Sequence, residues 1–154
     1  LVSLSKQALE VDVESFESGT QPRELRRIVG KALHEALKDT AKKLDAEFQD
    51  QITSVKWDWP RKTRRKNGRT VNSPRDIVDL GNLRDSQRDR QVSRYAIEWI
   101  WDVDYSAIVH NGAVLKGGGE VPGREWTKEA EKEVKVENHF TDTFTDILER
   151  EING

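Results

Sequence analysis

The side chains that could do chemistry are numerous but scattered. The three histidines, His34, His110 and His139, fall in three different segments. None has the i, i+4 partner that a zinc-binding helix needs. No Gly-x-Ser-x-Gly elbow, Walker loop or dinucleotide fingerprint occurs. Gly117-Gly118-Gly119 lacks the strand–turn–helix setting of a phosphate cradle. With 28 acidic residues, no single pair of carboxylates stands out, and no residue points to a magnesium-dependent nuclease. Cysteine is absent, which removes disulfides and thiolate–metal sites. These residues assign no catalytic group, no metal and no cofactor, and the chain is expected not to be an enzyme.

One stretch has an electrostatic character instead. Arg61-Lys62-Thr63-Arg64-Arg65-Lys66-Asn67-Gly68-Arg69 holds six basic residues in nine, around an Asn-Gly turn signal. From Trp59 to Arg75 there are seven basic residues and no acid, whereas residues 120–151 carry ten acids against five bases. The stretch reads either as a contact for DNA or an acidic protein face, or as a solvated hairpin tip. No aromatic residue interleaves the basic ones, so base stacking has little support.

The elements that must position this stretch follow from periodicity. Residues 9–14 alternate apolar and acidic, as in a half-buried strand. Ser18-Gly19-Thr20 ends it, with Thr20 or Gln21 as the cap of the next helix and Pro22 in its first turn. Leu25, Ile28, Val29, Ala32, Leu33, Ala36, Leu37, Ala41, Leu44, Phe48 and Ile52 then form an apolar stripe at helical spacing over residues 22–52. Such a helix is about 45 Å long, more than the ~30 Å of a small domain. It either overruns its own sheet or packs on a neighbouring copy. Val55, Trp57 and Trp59 predict a strand over 53–59, stopped by Pro60.

Asp79-Leu80-Gly81-Asn82-Leu83-Arg84-Asp85-Ser86 predicts a turn and the start of a short helix. A strand is expected over 92–102, with Tyr95, Ile97, Trp99 and Trp101 on its bulky face. Asp102 and Asp104 offer caps for a helix over 105–110, with Tyr105, Ile108 and Val109 inward. Gly112 closes that helix with positive φ. Residues 113–122 read as a flexible Gly-rich loop, and Pro122-Gly123 opens a last helix interrupted near residue 137. Trp99, Trp101 and Trp126 are expected in the core.

The chain's 154 residues suit one domain, with residues 60–76 as a mobile basic loop. Charged residues make up 35% and hydrophobic residues 34%, which suits a subunit whose polar faces meet neighbours. The net charge of −2 makes no global case for nucleic-acid binding. No apolar run reaches the ~20 residues of a membrane span, and no secretory signal pattern is present.

Three segments in this order resemble the neck, or head–tail joining and tail-completion, proteins of tailed bacteriophages. Leu80-Gly81-Asn82-Leu83-Arg84-Asp85-Ser86 is similar to that family's Thr-Gly-x-Leu-Arg-x-Ser, with Leu80 where Thr is usual. Tyr105-Ser106-Ala107-Ile108-Val109-His110-Asn111-Gly112-Ala113 resembles Tyr-Ala-x-Tyr-Val-Glu-x-Gly-Thr, with His110 at the Glu place. Pro122-Gly123-Arg124-Glu125-Trp126 keeps the Arg and the aromatic of Ala-Arg-Pro-Phe-Leu and loses the Pro between them. The resemblance implies an α+β subunit: a small antiparallel sheet packed against a long N-terminal helix and a C-terminal helix, with a long basic hairpin or loop.

The resemblance also implies a homo-oligomeric ring, often of six copies, with no enzymatic activity. The ring would sit at the head–tail junction of the virion, after assembly in the host cytoplasm. Its partners would be the portal, adaptor or stopper proteins and the tail-terminator or tail-tube proteins, with no membrane. Gly81, Leu83, Arg84, Ser86, Tyr105, Val109, Gly112, Arg124 and Trp126 would be its structural motif residues. Arg61, Lys62, Arg64, Arg65, Lys66 and Arg69 would face the DNA channel or a partner. Overlap of the long helices between copies would supply most of the association energy. The alternative is a non-enzymatic nucleic-acid-binding module that uses the Arg61–Arg69 loop.

Overall fold

A computed structural model describes the backbone of residues 2–5 and residues 8–14 and 22–154 in full. The elements in chain order are β1 (Val2–Ser5), β2 (Ala8–Val11), α1 (Arg23–Thr53), β3 (Thr63–Arg64), β4 (Thr70–Val71), α2 (Asn82–Asp85), β5 (Gln87–Ser93), β6 (Ala96–Trp101), α3 (Ser106–Asn111), β7 (Ala113–Val114), β8 (Glu120–Val121), α4 (Trp126–Val134) and α5 (Val136–Asn153). The class is α+β, as expected: a long N-terminal helix, a small antiparallel sheet and C-terminal helices that pack together. The chain divides into two compact units, Leu1–Asp45 with Asp89–Trp99 and Glu131–Gly154, and Ala46–Arg88 with Ile100–Ala130.

The first unit is built on a sheet of order β1-β2-β6-β5. β1 and β2 are antiparallel, with Leu4 opposite Leu9, and β2 meets β6 with Leu9 opposite Ile97. Leu9, Val11, Ala96, Ile97 and Trp99 are buried with the apolar stripe of α1 from Ala32 to Leu44 and with Val134, Val136, Phe140 and Ile147. The Trp99 Nε1–H donates to Asp45 at 3.2 Å, so the buried indole keeps its hydrogen bond. The Lys31–Glu151 ion pair (2.8 Å) and the His139–Asp39 hydrogen bond (2.9 Å) join α1 and α5.

Several expectations are corrected here. Residues 92–102 are not one strand: β5 and β6 are separate, joined at Arg94-Tyr95. Polar side chains close this turn. The Ser93 hydroxyl accepts from the Tyr95 N–H, and the Gln91 amide donates to the Ser93 carbonyl. Residues 9–14 are extended only through Val11. The expected break at Ser18-Gly19-Thr20 and the cap at Thr20 or Gln21 lie outside the described residues. The Pro22 carbonyl accepts the Arg26 N–H at 3.0 Å and opens α1.

The length of α1 also has a different reason from an overhang. Its 31 residues supply the core of both units, through Leu37 and Leu44 in one and Phe48 and Ile52 in the other. Of its apolar stripe only Leu25, near the N-terminus, is exposed, at 40%. The interruption in the last helical region falls at Lys135, a non-glycine residue at φ 53° between α4 and α5.

Candidate functional site

The second unit is organised by a chain of rings. Phe48 meets Trp101 edge-on at 5.2 Å, Trp101 meets Trp126 at 5.3 Å, and Trp126 meets His110 at 4.7 Å. Edge-to-face pairs of this kind add about 0.5–1.5 kcal/mol each beyond buried area. His110 is buried, with Nε2 2.7 Å from the Thr127 hydroxyl and Nδ1 2.7 Å from the Asn111 side-chain oxygen. Both ring nitrogens are thus engaged within the fold. Helix α3 presents His110 inward, while Tyr105 and Ile108, expected inward, are exposed. Asp102 and Asp104 do not cap α3, which Tyr105 precedes without a side-chain cap.

Gly112 ends α3 at φ 78° and ψ 174°, as expected of a C-terminal glycine. A Cβ there would lie 2.6 Å from the Val121 carbonyl oxygen and 2.7 Å from the Gly123 nitrogen. The stretch 113–122 forms the β7–β8 hairpin, with Gly118 in its turn at φ 81°. The Arg124 N–H donates to the Val109 carbonyl at 3.0 Å, which fixes where Arg124 leaves the backbone.

Residues 53–59 do not form the expected strand. Only Trp57 pairs, with Arg75 in an isolated bridge, and the Trp57 indole N–H donates to the Gln51 carbonyl. Beyond it, β3 and β4 make a hairpin whose Asn67-Gly68 turn has Gly68 at φ 86°. Asp79 pins that turn by accepting the Lys66 and Asn67 N–H groups at 3.1 Å. Arg65 pairs with Asp76 at 2.7 Å and is only 14% exposed. Arg61, Lys62, Arg64, Lys66 and Arg69 remain exposed.

Arg75 is the residue the sequence did not single out. It is buried, and it holds the base of the hairpin. Nε donates to the Asn72 carbonyl, Nη1 to the Thr63 hydroxyl, and Nη2 to the Arg61 and Val71 carbonyls. Burial, and next the Arg65 charge, lower its pKa, with Asp76 opposing. Trp59 was also missed as a site residue. Its ring centre lies 5.0 Å from the Arg75 guanidinium carbon and 4.6 Å from that of Arg124. The basic cluster thus has an aromatic partner, though none interleaves the basic run itself.

These side chains line a cleft of about 400 Å³. The cleft brings together the hairpin (Arg65, Lys66), Arg75, the Gly81–Arg84 segment, Tyr105 with Val109, and Arg124. All of these belong to the second unit. Gly81 is buried at φ 88°, where the chain turns into α2, and Leu83 is buried behind it. Arg84 leans on Asp85 at 2.8 Å, and Ser86 closes α2 by donating to the Leu83 carbonyl. Among the residues expected to act, Arg61, Lys62, Arg64 and Arg69 do not line the cleft.

Arg124 is a half-buried cation with an unmet donor. Its Nε is buried without a hydrogen-bond partner. Burial, then the neighbouring Arg75 and Arg65 charges, bring its pKa down to about 10. No carboxylate contributes to it. Among the described residues there is no cluster of metal-ligating side chains, and no helix is long and apolar enough to cross a membrane. No protein-family model matches the chain, and neither the curated proteins nor the solved structures compared with it yield a significant match.

Proposed function

We propose that the chain is a structural, non-enzymatic protein of a tailed-phage virion. Copies close into a ring, of six, at the head–tail junction, where the ring joins the portal complex to the tail around the DNA channel. One observation supports this reading above the rest. Three sequence segments carry the resemblance, and residues from each, Gly81 to Arg84, Tyr105 with Val109, and Arg124, line the same cleft.

A closed ring uses heterologous contacts, so one face of each copy must fit a different face of the next. The exposed hairpin cations and the exposed acids of α5, Glu137, Asp142, Asp146 and Glu149, are complementary in sign. Exposed pairs add only ~0–1 kcal/mol each. The α1 stripe is buried within the chain from Ala32 onwards, so it is not free to overlap with another copy. Leu25, Ile108, Val114 and Leu115 are exposed and offer apolar area instead.

Mass photometry across concentration, followed by cryo-electron microscopy of virions labelled for this protein, tests the reading. A ring of copies at the neck is expected, with weak or concentration-dependent association in solution. A single copy per virion, or absence from the virion, overturns it.

The second reading, a nucleic-acid-binding module, is favoured by the five hairpin cations that stay exposed. Phosphate contacts of this kind carry no sequence preference and weaken steeply with salt. Charge reversal at Arg61, Arg64 and Arg69, with Arg65 left intact for its Asp76 pair, tests it. Loss of salt-dependent DNA affinity from a stable monomer favours the module over the ring.

A further inference from the structure

We infer that the cleft beside Trp59 is a binding site for a phosphate dianion, with Arg124 as the principal donor and Arg75 and Lys66 supplying charge. This site stands independently of the neck assignment. The charges lining the cleft do not balance. Arg65 is paired with Asp76 and Arg84 with Asp85. The remaining lining charges are Lys66, Arg75 and Arg124 against Asp79 alone, a surplus of two positive charges. The Asp79 carboxylate already accepts two backbone N–H groups of the hairpin turn.

The donors are also unequally used. Arg75 spends most of its N–H groups on three carbonyls and a hydroxyl, so it contributes field more than hydrogen bonds. The Arg124 Nε is buried without a hydrogen-bond partner, and the side chain is held in place by the Trp59 ring and the backbone bond to Val109. A planar fork fixed by an aromatic face is preorganised for bidentate contact with an oxyanion. A carboxylate carries one charge and would leave the surplus half met, whereas phosphate near neutral pH carries about −1.5 to −2. The volume of about 400 Å³ leaves room for more than the phosphate itself, so a phosphate attached to a larger molecule also fits.

The test titrates inorganic phosphate into the full chain at constant ionic strength, with chloride replaced mole for mole. Calorimetry and tryptophan fluorescence read binding, and the thermal midpoint reads linkage. Saturable one-site binding is expected, together with a rise in Tm and stronger binding at pH 7.5 than at pH 5.5, where phosphate is a monoanion. Arg124→Gln should weaken binding at least tenfold, with Lys66→Gln giving a smaller loss. Arg150→Gln, which removes the same charge from exposed α5, should leave it unchanged. Circular dichroism of each variant separates loss of binding from loss of fold. A second arm adds a 5′-phosphorylated dinucleotide: competition with phosphate names a nucleic-acid phosphate as the source, and no competition names a free phosphate. A response no different from chloride alone, or equal weakening by Arg124→Gln and Arg150→Gln, overturns the site.

Discussion

The guanidinium carbon of Arg124 lies 4.6 Å from the centre of the Trp59 ring, and no carboxylate shares that charge. A cation held this way is sustained by a ring face and opposed by its own burial. A pKa lowered to about 10 means that the folded state disfavours the proton.

The sign follows directly. The folded pKa is below the unfolded one, so the unfolded chain binds the proton more tightly. The stability deficit is fully present below pH 10 and disappears as pH rises towards the ordinary arginine value. A depression of this size corresponds to about 3 kcal/mol, offset by roughly 0.5–2 kcal/mol of cation–π attraction. Arg124→Met, which keeps the stem and removes the charge, should therefore raise stability by about 1–2 kcal/mol at pH 7.5. The gap should narrow above pH 10. Urea denaturation at the two pH values checks it, and a destabilised Arg124→Met would show that the ring contact outweighs burial.

Arg75 should behave in the opposite way. Its neutral acceptors are carbonyls at the hairpin base, and Arg75→Lys cannot reach all of them. Each buried acceptor left without a donor costs about 1–3 kcal/mol. Arg75→Lys should thus destabilise by at least 2 kcal/mol or so on the same scale. Hydrogen exchange should quicken first at the Trp57 amide, which bonds to the Arg75 carbonyl at the hairpin base, and at the Arg65 amide, which bonds to the Arg69 carbonyl within the hairpin. Unchanged exchange there would remove Arg75 from its stapling role.

The two helix-flanking glycines should differ in their tolerance. At Gly112 a Cβ meets backbone atoms at 2.6 and 2.7 Å, which cannot move aside. At Gly81 it meets the far end of the Arg84 side chain at 2.8 Å, which can. Both pay the positive-φ penalty of about 1 kcal/mol. Gly112→Ala should cost about 2–4 kcal/mol in total and Gly81→Ala roughly half of that. Equal midpoints for the two variants in thermal melts would contradict the geometry.

The ring chain gives a graded series. Trp101→Ala should cost about 3–5 kcal/mol, since it leaves a cavity between Phe48 and Trp126. The indole N–H groups of Trp101 and Trp126 have no hydrogen-bond partner. Replacement by Phe therefore forfeits volume but no hydrogen bond, and should cost about 1–2 kcal/mol. If either Phe variant is as unstable as Trp101→Ala, the series is wrong.

The elements most legible in the sequence were those with strong local chemistry. The α1 stripe, the Asn67-Gly68 turn and the Gly112 exit each rest on short-range rules, and the bounds of α1 fell within a residue of expectation. Burial of Trp99, Trp101 and Trp126 was legible from alternation and helical phase. β5 was not, because Gln87-Arg88-Asp89-Arg90-Gln91 is polar throughout, and an edge strand held by backbone pairing needs no apolar face. The strand expected at 53–59 failed for the converse reason. Alternating Val55, Trp57 and Trp59 had no partner strand to lie on, and Trp59 went to the guanidinium groups instead. Arg75 carried no local signal: its acceptors are main-chain carbonyls at Arg61, Val71 and Asn72, fixed only when the hairpin closes. The cleft was legible in its parts, as motif residues and basic residues, and not in their meeting.

The division into two units has a consequence for how the molecule comes apart. The polypeptide passes from one unit to the other after Asp45, Arg88, Trp99 and Ala130, and two of those crossings lie inside α1 and α4. No single cut of the chain therefore releases either unit whole. A cut after Arg88 or Trp99 parts Phe48 from Trp101, and a cut after Asp45 or Ala130 parts the segments that build the first unit. Protease nicking should yield either the intact chain or small peptides, with no durable half-sized fragment, and melting should proceed as one event although the chain has two compact units.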